Sequence, residues 1–223
     1  MSSHVKIKIC GIKNTQTLDT TLRAGADMVG FVHFPKSPRH LEMHQISTLI
    51  EATSKVEATS KRAQTVVLLV NPDWELLEEV CSLKPDFIQL HGAENPDFVA
   101  QIIERFKQSV LKALSVGNVD DLHAIPSYIA AGAQILLDAK PPKNATRPGG
   151  LGAVFDWKIL DALDENIEYM LSGGLDPTNV ADAIKTLAPF GVDVSSGVEY
   201  APGHKDHLMI KEFITNARSS THK

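Results

Sequence analysis

Eight short apolar runs, separated by amphipathic segments, are the feature that most restricts the fold of this chain. The runs are Val5–Ile12, Met28–His33, Thr65–Val70, Phe87–His91, Val110–Leu114, Ile135–Asp138, Tyr169–Leu171 and Val192–Val194. Helical patterns separate them at Thr15–Ala24, Met43–Ala52, Trp74–Cys81, Pro96–Phe106, Trp157–Leu163, Asn179–Leu187 and His207–Ala217. A weaker helical pattern, Asp121–Ala131, contains Pro126, which disfavours a helix interior. Such alternation is typical of a parallel sheet covered by helices, and the continuous apolar runs indicate strands buried on both faces.

Two architectures fit this alternation, an open doubly wound sheet and a closed eight-stranded barrel. The chain has 223 residues, which lies within the range of roughly 200 to over 400 residues that such barrels occupy. The Gly-x-Gly-x-x-Gly loop expected of a dinucleotide-binding open sheet is absent after Ile9. We therefore predict an α/β fold, a single-domain TIM (β/α)8 barrel that spans residues 1–223.

The net charge, the lengths of the apolar runs and the two cysteines restrict the binding partners and the cellular compartment that we expect for this chain. The net charge of -5 disfavours a nucleic-acid surface, which would need a basic stripe. No apolar run approaches the length of a membrane span or a signal peptide, so we expect no membrane partner. Cys10 and Cys81 lie far apart and form no metal-binding spacing, and no His, Asp and Glu cluster has one. These features predict a cytoplasmic protein with free thiols and no metal.

Candidate catalytic residues lie where the predicted strands end, because barrel enzymes build their sites at the carboxyl ends of the strands. Cys10 ends the first strand and Asp138 ends the sixth. A thiolate can remove a proton from carbon, and a protonated carboxyl can donate one to a leaving oxygen. Taken alone, Cys10 is typical of a small buried hydrophobe and Asp138 of a turn cap. Their occurrence at matching strand ends favours a base and an acid.

Binding groups are predicted at the other strand ends. Arg39 follows the second strand and could hold a carboxylate or phosphate through its fork of donors, although a solvated loop arginine is the alternative. Gln89 and His91 end the fourth strand, and Asp193 lies in the eighth. His91 also fits a structural histidine. We expect these four side chains to contact the substrate.

Glycine-rich loops after the last three strands predict a phosphate site. Gly173 and Gly174 follow the seventh strand, and Ser196 and Gly197 follow the eighth. Glycines allow the backbone to approach an anion closely, and loops after strands seven and eight of a barrel are a frequent phosphate site. The long loop after Asp138 adds Gly149 and Gly150. Ordinary turn glycines are the alternative interpretation.

The same pattern leaves two other functions open. A phosphosugar aldolase would use Lys112, which we expect near the end of strand five, or Lys140 to form a Schiff base. A barrel that binds a phosphosugar without catalysis would keep the glycine loops but would be free to lose Cys10 and Asp138.

Taken together, the motifs resemble those of the phosphoribosylanthranilate isomerase family of tryptophan biosynthesis, nearly from end to end. The matching segments are Lys8–Gly11, Gly30–Val32, Pro35–Arg39, Gln89–Gly92, Asp138 with Lys140, Pro148–Gly152, Phe155–Trp157, Leu171–Leu175, Pro177 with Asn179, and Gly191–Glu199. Two features differ from the family pattern. The loop Pro142–Arg147 is longer, and Leu151 stands where a small hydroxyl residue is expected.

The resemblance implies an Amadori rearrangement of N-(5-phosphoribosyl)anthranilate, a small-molecule phosphosugar, to carboxyphenylamino-deoxyribulose phosphate. It implies that Asp138 protonates the ring oxygen, that Cys10 removes the C2′ proton, and that Arg39 holds the anthranilate carboxylate. The glycine loops would hold the phosphate. No cofactor or metal is implied, because the amine nitrogen of the substrate is the electron sink. The assembly is left open between a monomer and a homodimer.

Overall fold

The apolar runs form parallel strands that close into a barrel. A computed structural model describes residues 5–55, 62–140 and 156–220. The barrel strands are β1 Lys6–Cys10, β2 Met28–Val32, β3 Gln64–Leu69, β4 Phe87–Leu90, β5 Ser109–Val116, β6 Gln134–Ala139, β7 Tyr169–Leu171 and β8 Gly191–Val194. Because β1 pairs with both β2 and β8, the sheet has no open edge. The predicted (β/α)8 barrel is confirmed, and the open doubly wound sheet is wrong.

Helices follow most of the strands, and α1, α3, α4 and α7 begin with a side chain that caps them. The α-helices are α1 Thr15–Arg23, α2 Met43–Lys55, α3 Trp74–Ser82, α4 Pro96–Phe106, α5 Ile125–Ala130, α6 Val180–Leu187 and α7 His207–Ser219. Asn14, Asp73, Asn95 and Asp206 each accept a hydrogen bond from the backbone N–H of the following helix. This satisfies donors that the helix itself leaves unpaired, and it fixes where each helix starts beside a strand end.

Two predicted helices differ from the structure. The pattern Trp157–Leu163 forms a 3-10 helix, Trp157–Ala162, instead of an α-helix. The pattern Asp121–Ala131 divides into a 3-10 helix, Val119–Ala124, and the short α5. Pro126 lies in the first turn of α5, where its missing N–H would have no helical partner anyway. The proline therefore starts a helix here.

Alternation along the strands separates the barrel interior from the layer beneath the helices. The interior contains the apolar residues Met28, Val66, Phe87, Leu111, Ala113, Leu136 and Met170. Lys8 pairs in register with Met28, so it shares this inward face, and Cys10 follows it two residues later. Ile7 and Ile9 belong to the larger cluster that packs against the helices. β1 therefore directs one lysine and one cysteine into the barrel.

A hairpin follows β8 and completes one side of the carboxyl-terminal face. A 3-10 helix, Ser196–Val198, leads into β9 Glu199–Ala201 and β10 His204–Lys205, which pair antiparallel. Within the described ranges, no helix is long and apolar enough to cross a membrane.

A buried ion pair outside the barrel secures the loop after β4. Lys112 lies in the middle of β5, not near its end as predicted, and pairs in register with the outward residues Leu90 and Ile135. Its ammonium donates to Glu94 at 2.6 Å and to the Gly92 carbonyl at 2.8 Å. Burial lowers the pKa of Lys112, and the charge of Glu94 opposes that change. The pair therefore fixes the backbone that follows His91.

Replacing Lys112 should show how far the fold depends on this pair. We expect Lys112→Met to lower the free energy of unfolding by roughly 3–5 kcal/mol, because Glu94 would stay buried without its counter-ion. Urea unfolding followed by circular dichroism measures the change. The double variant Lys112→Met with Glu94→Gln should recover part of the loss. Arg23→Met, which breaks the exposed pair with Asp19, is the control and should leave the urea midpoint unchanged. Equal midpoints for Lys112→Met and the control would contradict this account.

Candidate active site

Cys10 lies at the carboxyl end of β1 and faces the barrel interior. Its side chain lies over Gly30 of β2, where a Cβ atom would come within 2.8 Å of the sulfur. Only glycine at that position leaves room for the thiol. Burial raises the pKa of the Cys10 thiol above its ordinary value, and the charge of Lys8 is the largest influence that opposes this. The structure therefore places a buried thiol beside a buried cation.

Lys8 and Asp193 form an ion pair inside the barrel. The Lys8 ammonium donates to Asp193 Oδ1 at 2.8 Å, and both side chains are almost inaccessible to solvent. Ser172, the residue after β7, donates to the other carboxylate oxygen at 3.3 Å. Burial alone would lower the pKa of Lys8, but Asp193 holds it above its ordinary value. Asp193 therefore lies in the barrel interior, with both carboxylate oxygens bound by protein groups.

Asp138 is the last residue but one of β6, with its side chain on the same inward face as Leu136. Its Oδ1 accepts from the Ala139 backbone N–H at 3.0 Å. His91 Nε2 lies 3.2 Å from Asp138 Oδ2. The geometry is not that of a hydrogen bond, so the two side chains are neighbours without being hydrogen-bonded. A Cβ on Gly173 would lie 2.9 Å from Oδ1, so glycine there leaves space beside the carboxyl. The predicted acid is therefore buried and adjacent to His91.

Gln89 lies in β4 and is buried on the inward side, as its register with Leu68 and Leu111 indicates. Its Nε2 is 3.4 Å from His91 Nδ1. Its Oε1 has no hydrogen-bond partner among the residues that the structure describes. A buried amide oxygen in this state can accept a hydrogen bond from a ligand hydroxyl.

Arg39 is buried, and the hairpin after β8 holds its guanidinium. Nε and Nη2 donate to the two oxygens of Glu199 at 2.7 and 2.8 Å. Lys205 donates to the same carboxylate at 2.9 Å and to the Ser195 carbonyl at 2.8 Å. Ser195 in turn donates to the Cys10 carbonyl at 3.1 Å. One continuous set of hydrogen bonds therefore connects Arg39 to the end of β1.

The charges of this cluster change the ionisation of its members. Burial alone would raise the pKa of Glu199, but the hydrogen bond from Arg39 and the charge of Lys205 hold it below its ordinary value. Burial lowers the pKa of Lys205 from 10.5 to about 8, and Glu199 only partly opposes this. Glu199 is therefore held in its ionised form, and its carboxylate holds the side chains of Arg39 and Lys205 in place.

The predicted phosphate loops lie next to each other. Gly173 and Gly174 both adopt positive φ angles, 83° and 69°, a region that other residues seldom occupy. A Cβ on Gly197 would lie 1.8 Å from the Leu175 carbonyl oxygen, so the loops after β7 and β8 are in contact. Ser196 begins the 3-10 helix that contains Gly197. Gly149, Gly150 and Leu151, together with the loop Pro142–Arg147, lie outside the described residues.

Comparison with known proteins identifies the family. Residues 7–216 match the family model described as N-(5'phosphoribosyl)anthranilate (PRA) isomerase. An N-(5'-phosphoribosyl)anthranilate isomerase of Rhodopseudomonas palustris strain BisB18 is 50% identical over 96% of this chain and 96% of the relative. The chain belongs to this isomerase family.

Solved structures of the family share the fold. The phosphoribosyl anthranilate isomerase of Thermotoga maritima superposes with a TM-score of 0.82 at 38% identity, over 96% of this chain and 99% of that one. Another isomerase structure, in complex with reduced 1-(o-carboxyphenylamino)-1-deoxyribulose 5-phosphate, gives a TM-score of 0.79 at 35% identity, with the same coverage. The predictions of the family and of an isomerase enzyme are confirmed.

The lysines that the aldolase alternative requires lie away from the interior of this isomerase barrel. Lys112 faces the helices and is held by Glu94. Lys140 follows β6, is half exposed, and pairs with Asp121 at 2.9 Å. Neither ammonium shares the inward face of Cys10 and Asp138, so a Schiff-base mechanism through them is not supported.

Several residues of this site were missing from the sequence-based prediction. Lys8, Ser172, Glu199 and Lys205 all take part in the contacts above. Lys8 had a usable signal, because it shares the strand face of Cys10 at a spacing of two. Glu199 ends one of the matching segments, but no sequence signal showed its contact with Lys205, because that contact depends on the hairpin. Among the described residues, no group of three or more His, Cys, Asp or Glu side chains could hold a metal.

The low pKa of Lys205 predicts a specific dependence of stability on pH. In the folded chain Lys205 loses its proton near pH 8, whereas in the unfolded chain it does so near 10.5. Between these values the unfolded state binds more protons, so the parent should become more stable relative to Lys205→Met as the pH rises. From about pH 8 to about pH 9.5 the gain should be about 1.5 kcal/mol.

Urea unfolding of both proteins across that pH range tests this. Lys211→Met, which removes an exposed lysine of α7, controls for the loss of one positive charge. Parallel stability curves for the parent and Lys205→Met would show that Lys205 titrates alike in the folded and unfolded states.

Proposed function

We propose that this chain converts N-(5'-phosphoribosyl)anthranilate to 1-(2-carboxyphenylamino)-1-deoxyribulose 5-phosphate, the isomerisation step of tryptophan biosynthesis. One observation carries the proposal. In a chain of this family, a buried thiol on β1 and a buried carboxyl on β6 face the interior at the same end of the barrel. These are the two proton-transfer groups that the rearrangement needs.

Asp138 is the proposed general acid. It donates a proton to the ring oxygen of the ribose as the C1′–O bond breaks, which leaves a Schiff base between C1′ and the anthranilate nitrogen. A carboxyl that acts in this way must hold a proton at the start of the reaction. Its burial and its position next to His91 on the inward face of the barrel support this role.

Cys10 is the proposed general base. As a thiolate it removes the C2′ proton, and the electrons of that bond move toward the Schiff-base nitrogen. The product of this step is an enolamine, which becomes the ketone when the C2′ hydroxyl loses its proton and C1′ gains one. The net reaction moves protons and electrons within one molecule, so the protein needs no oxidant or reductant.

The remaining groups are proposed to hold the two anionic ends of the substrate. Arg39 binds the anthranilate carboxylate, and its guanidinium is already oriented by Glu199. The adjacent loops with Gly173, Gly174, Ser196 and Gly197 bind the phosphate through backbone N–H groups. Gln89, His91 and Asp193 are proposed to contact the ribose. The roles predicted for Gly149 and Gly150 remain predictions.

A cytoplasmic location and a monomeric or homodimeric assembly also remain predictions. One structure similar to this chain, with a TM-score of 0.78, shows monomers generated from the dimeric isomerase of Thermotoga maritima. That relative makes a homodimer the first assembly to examine.

Substitution of the acid and the base tests the proposed roles. We expect Cys10→Ala and Asp138→Asn each to lower kcat at least roughly a hundredfold, as positioned acid and base groups contribute this much. The assay follows loss of anthranilate fluorescence when the substrate is generated in situ. Cys81→Ala removes the other thiol, which lies in α3, and should keep parental activity. Near-parental rates for both site variants would refute the roles of Cys10 and Asp138. If the parent bound the substrate without turning it over, the proposed isomerase activity would be refuted.

Arg39 should act on substrate binding more than on the chemical step. We expect Arg39→Met to raise KM at least roughly tenfold with a smaller change in kcat, because a charge-assisted contact to the carboxylate is lost. Steady-state kinetics with the same fluorescence assay separate the two parameters. Arg23→Met on the exposed side of α1 is the matched control. An unchanged KM would exclude Arg39 from the substrate site.

A further inference from the structure

Lys8 is a buried charge that neither the proposed acid nor the proposed base accounts for. Its side chain is fully buried inside the barrel, on the face that also carries the apolar residues of the interior. Burying an ammonium costs several kcal/mol unless a partner compensates for the lost hydration. Packing alone does not require a charge here, since Met28 fills the equivalent position of the neighbouring strand.

The position of Lys8 is determined by the closure of the barrel. Lys8 of β1 pairs in register with Asp193 of β8, so the two side chains project side by side into the interior. The ammonium and carboxylate are 2.8 Å apart, and Ser172 donates to the second carboxylate oxygen. The ammonium is therefore held directly beneath the residue two positions later, which is Cys10.

The thiol has little freedom to move away from this charge. Its sulfur occupies the space over Gly30, and Ser195 donates to the carbonyl of Cys10. The strand end and the side chain are thus both fixed, above a charge that is fixed as well.

We propose that Lys8 is a positioning residue, which places a buried ammonium beside Cys10 so that the thiolate can form inside the barrel, and that Asp193 holds the ammonium there. The proposal rests on the assignment of Cys10 as the base. It assigns Asp193 a role through Lys8 in addition to any contact with the substrate.

Among the residues that the structure describes, the charged groups that act on the Cys10 thiol lie on three elements. They are Lys8 on β1, Asp193 on β8 and Lys205 on β10. Burial raises the thiol pKa, Lys8 lowers it most, Asp193 raises it, and Lys205 lowers it less than Lys8 does. The two members of one ion pair therefore act on the thiol in opposite directions. Loss of either partner would disturb the packing of the barrel alike, so effects of opposite sign on the thiol would report charge and not packing.

A thiolate titration measures this directly, without substrate. The ultraviolet absorbance of the thiolate is followed from acidic to alkaline pH in a Cys81→Ala background. The same titration of the Cys10→Ala, Cys81→Ala protein is subtracted, so the tyrosines cancel. We expect Lys8→Met to raise the Cys10 pKa by at least about one unit and Asp193→Asn to lower it. The double variant should fall between the two, and it keeps the test available if the unpaired Asp193 prevents Lys8→Met from folding.

Lys6→Met is the matched control, because Lys6 lies on the same strand at the opposite end of the barrel, in register with Gly191. It should leave the titration of Cys10 unchanged. The acidic limb of kcat/KM against pH should move with the thiol pKa in each active variant.

Shifts of less than about 0.3 units in all three site variants would overturn the proposal. So would shifts of the same sign for Lys8→Met and Asp193→Asn, or a parent without thiolate at the alkaline limit. None of these results depends on turnover. Loss of activity in Cys10→Ala with an unmoved thiol pKa in Lys8→Met would reject the role of Lys8 and retain Cys10 as the base.

Discussion

Pairing of β1 with β8 is the constraint on which the rest of the site depends. The same four-residue register that closes the barrel sets Lys8 opposite Asp193 and Ile9 opposite Val194. Ser195, the next residue after β8, then reaches the Cys10 carbonyl. An error of one residue in this register would turn Lys8 and Cys10 outward, because side chains alternate along a strand. The register that closes the sheet therefore also brings the residues of the site together.

The sequence was sufficient to predict the barrel and the residues at the ends of its strands. It was insufficient to predict the contacts between those residues. Eight apolar runs with intervening helical patterns allow few architectures, and parallel strands place their carboxyl ends on one face. Lys112 shows where this reasoning fails. Its position in an apolar run does not reveal which face it takes, and β5 extends four residues beyond it. The direction of a side chain depends on register, which requires the neighbouring strands.

Glu199 and Lys205 illustrate a second limit. They lie six residues apart in a polar segment that has no strong strand pattern, yet the hairpin brings them together around Arg39, which is 160 residues away from Glu199. Long-range polar contacts of this kind depend on the completed fold. By contrast, the tight turns at Gly173 and Gly174 could be anticipated, since a pair of glycines after a strand permits conformations that other residues avoid.

Burial and neighbouring charges have opposing effects on the pKa values of the site residues, and the balance between them affects the proposed reaction. Excluding water strengthens every contact to an anionic substrate but also disfavours a thiolate. On the side of the barrel formed by β1, β8 and the hairpin, the described residues supply three buried cations, Lys8, Arg39 and Lys205. Two buried carboxylates, Asp193 and Glu199, face them. An excess of positive charge lowers the cost of forming an anion in this space, whether it is the thiolate or a carboxylate of the substrate. Since Lys205 loses its proton near pH 8, this excess falls at alkaline pH. The proton-accepting and carboxylate-binding functions of the site therefore depend on the same set of buried charges.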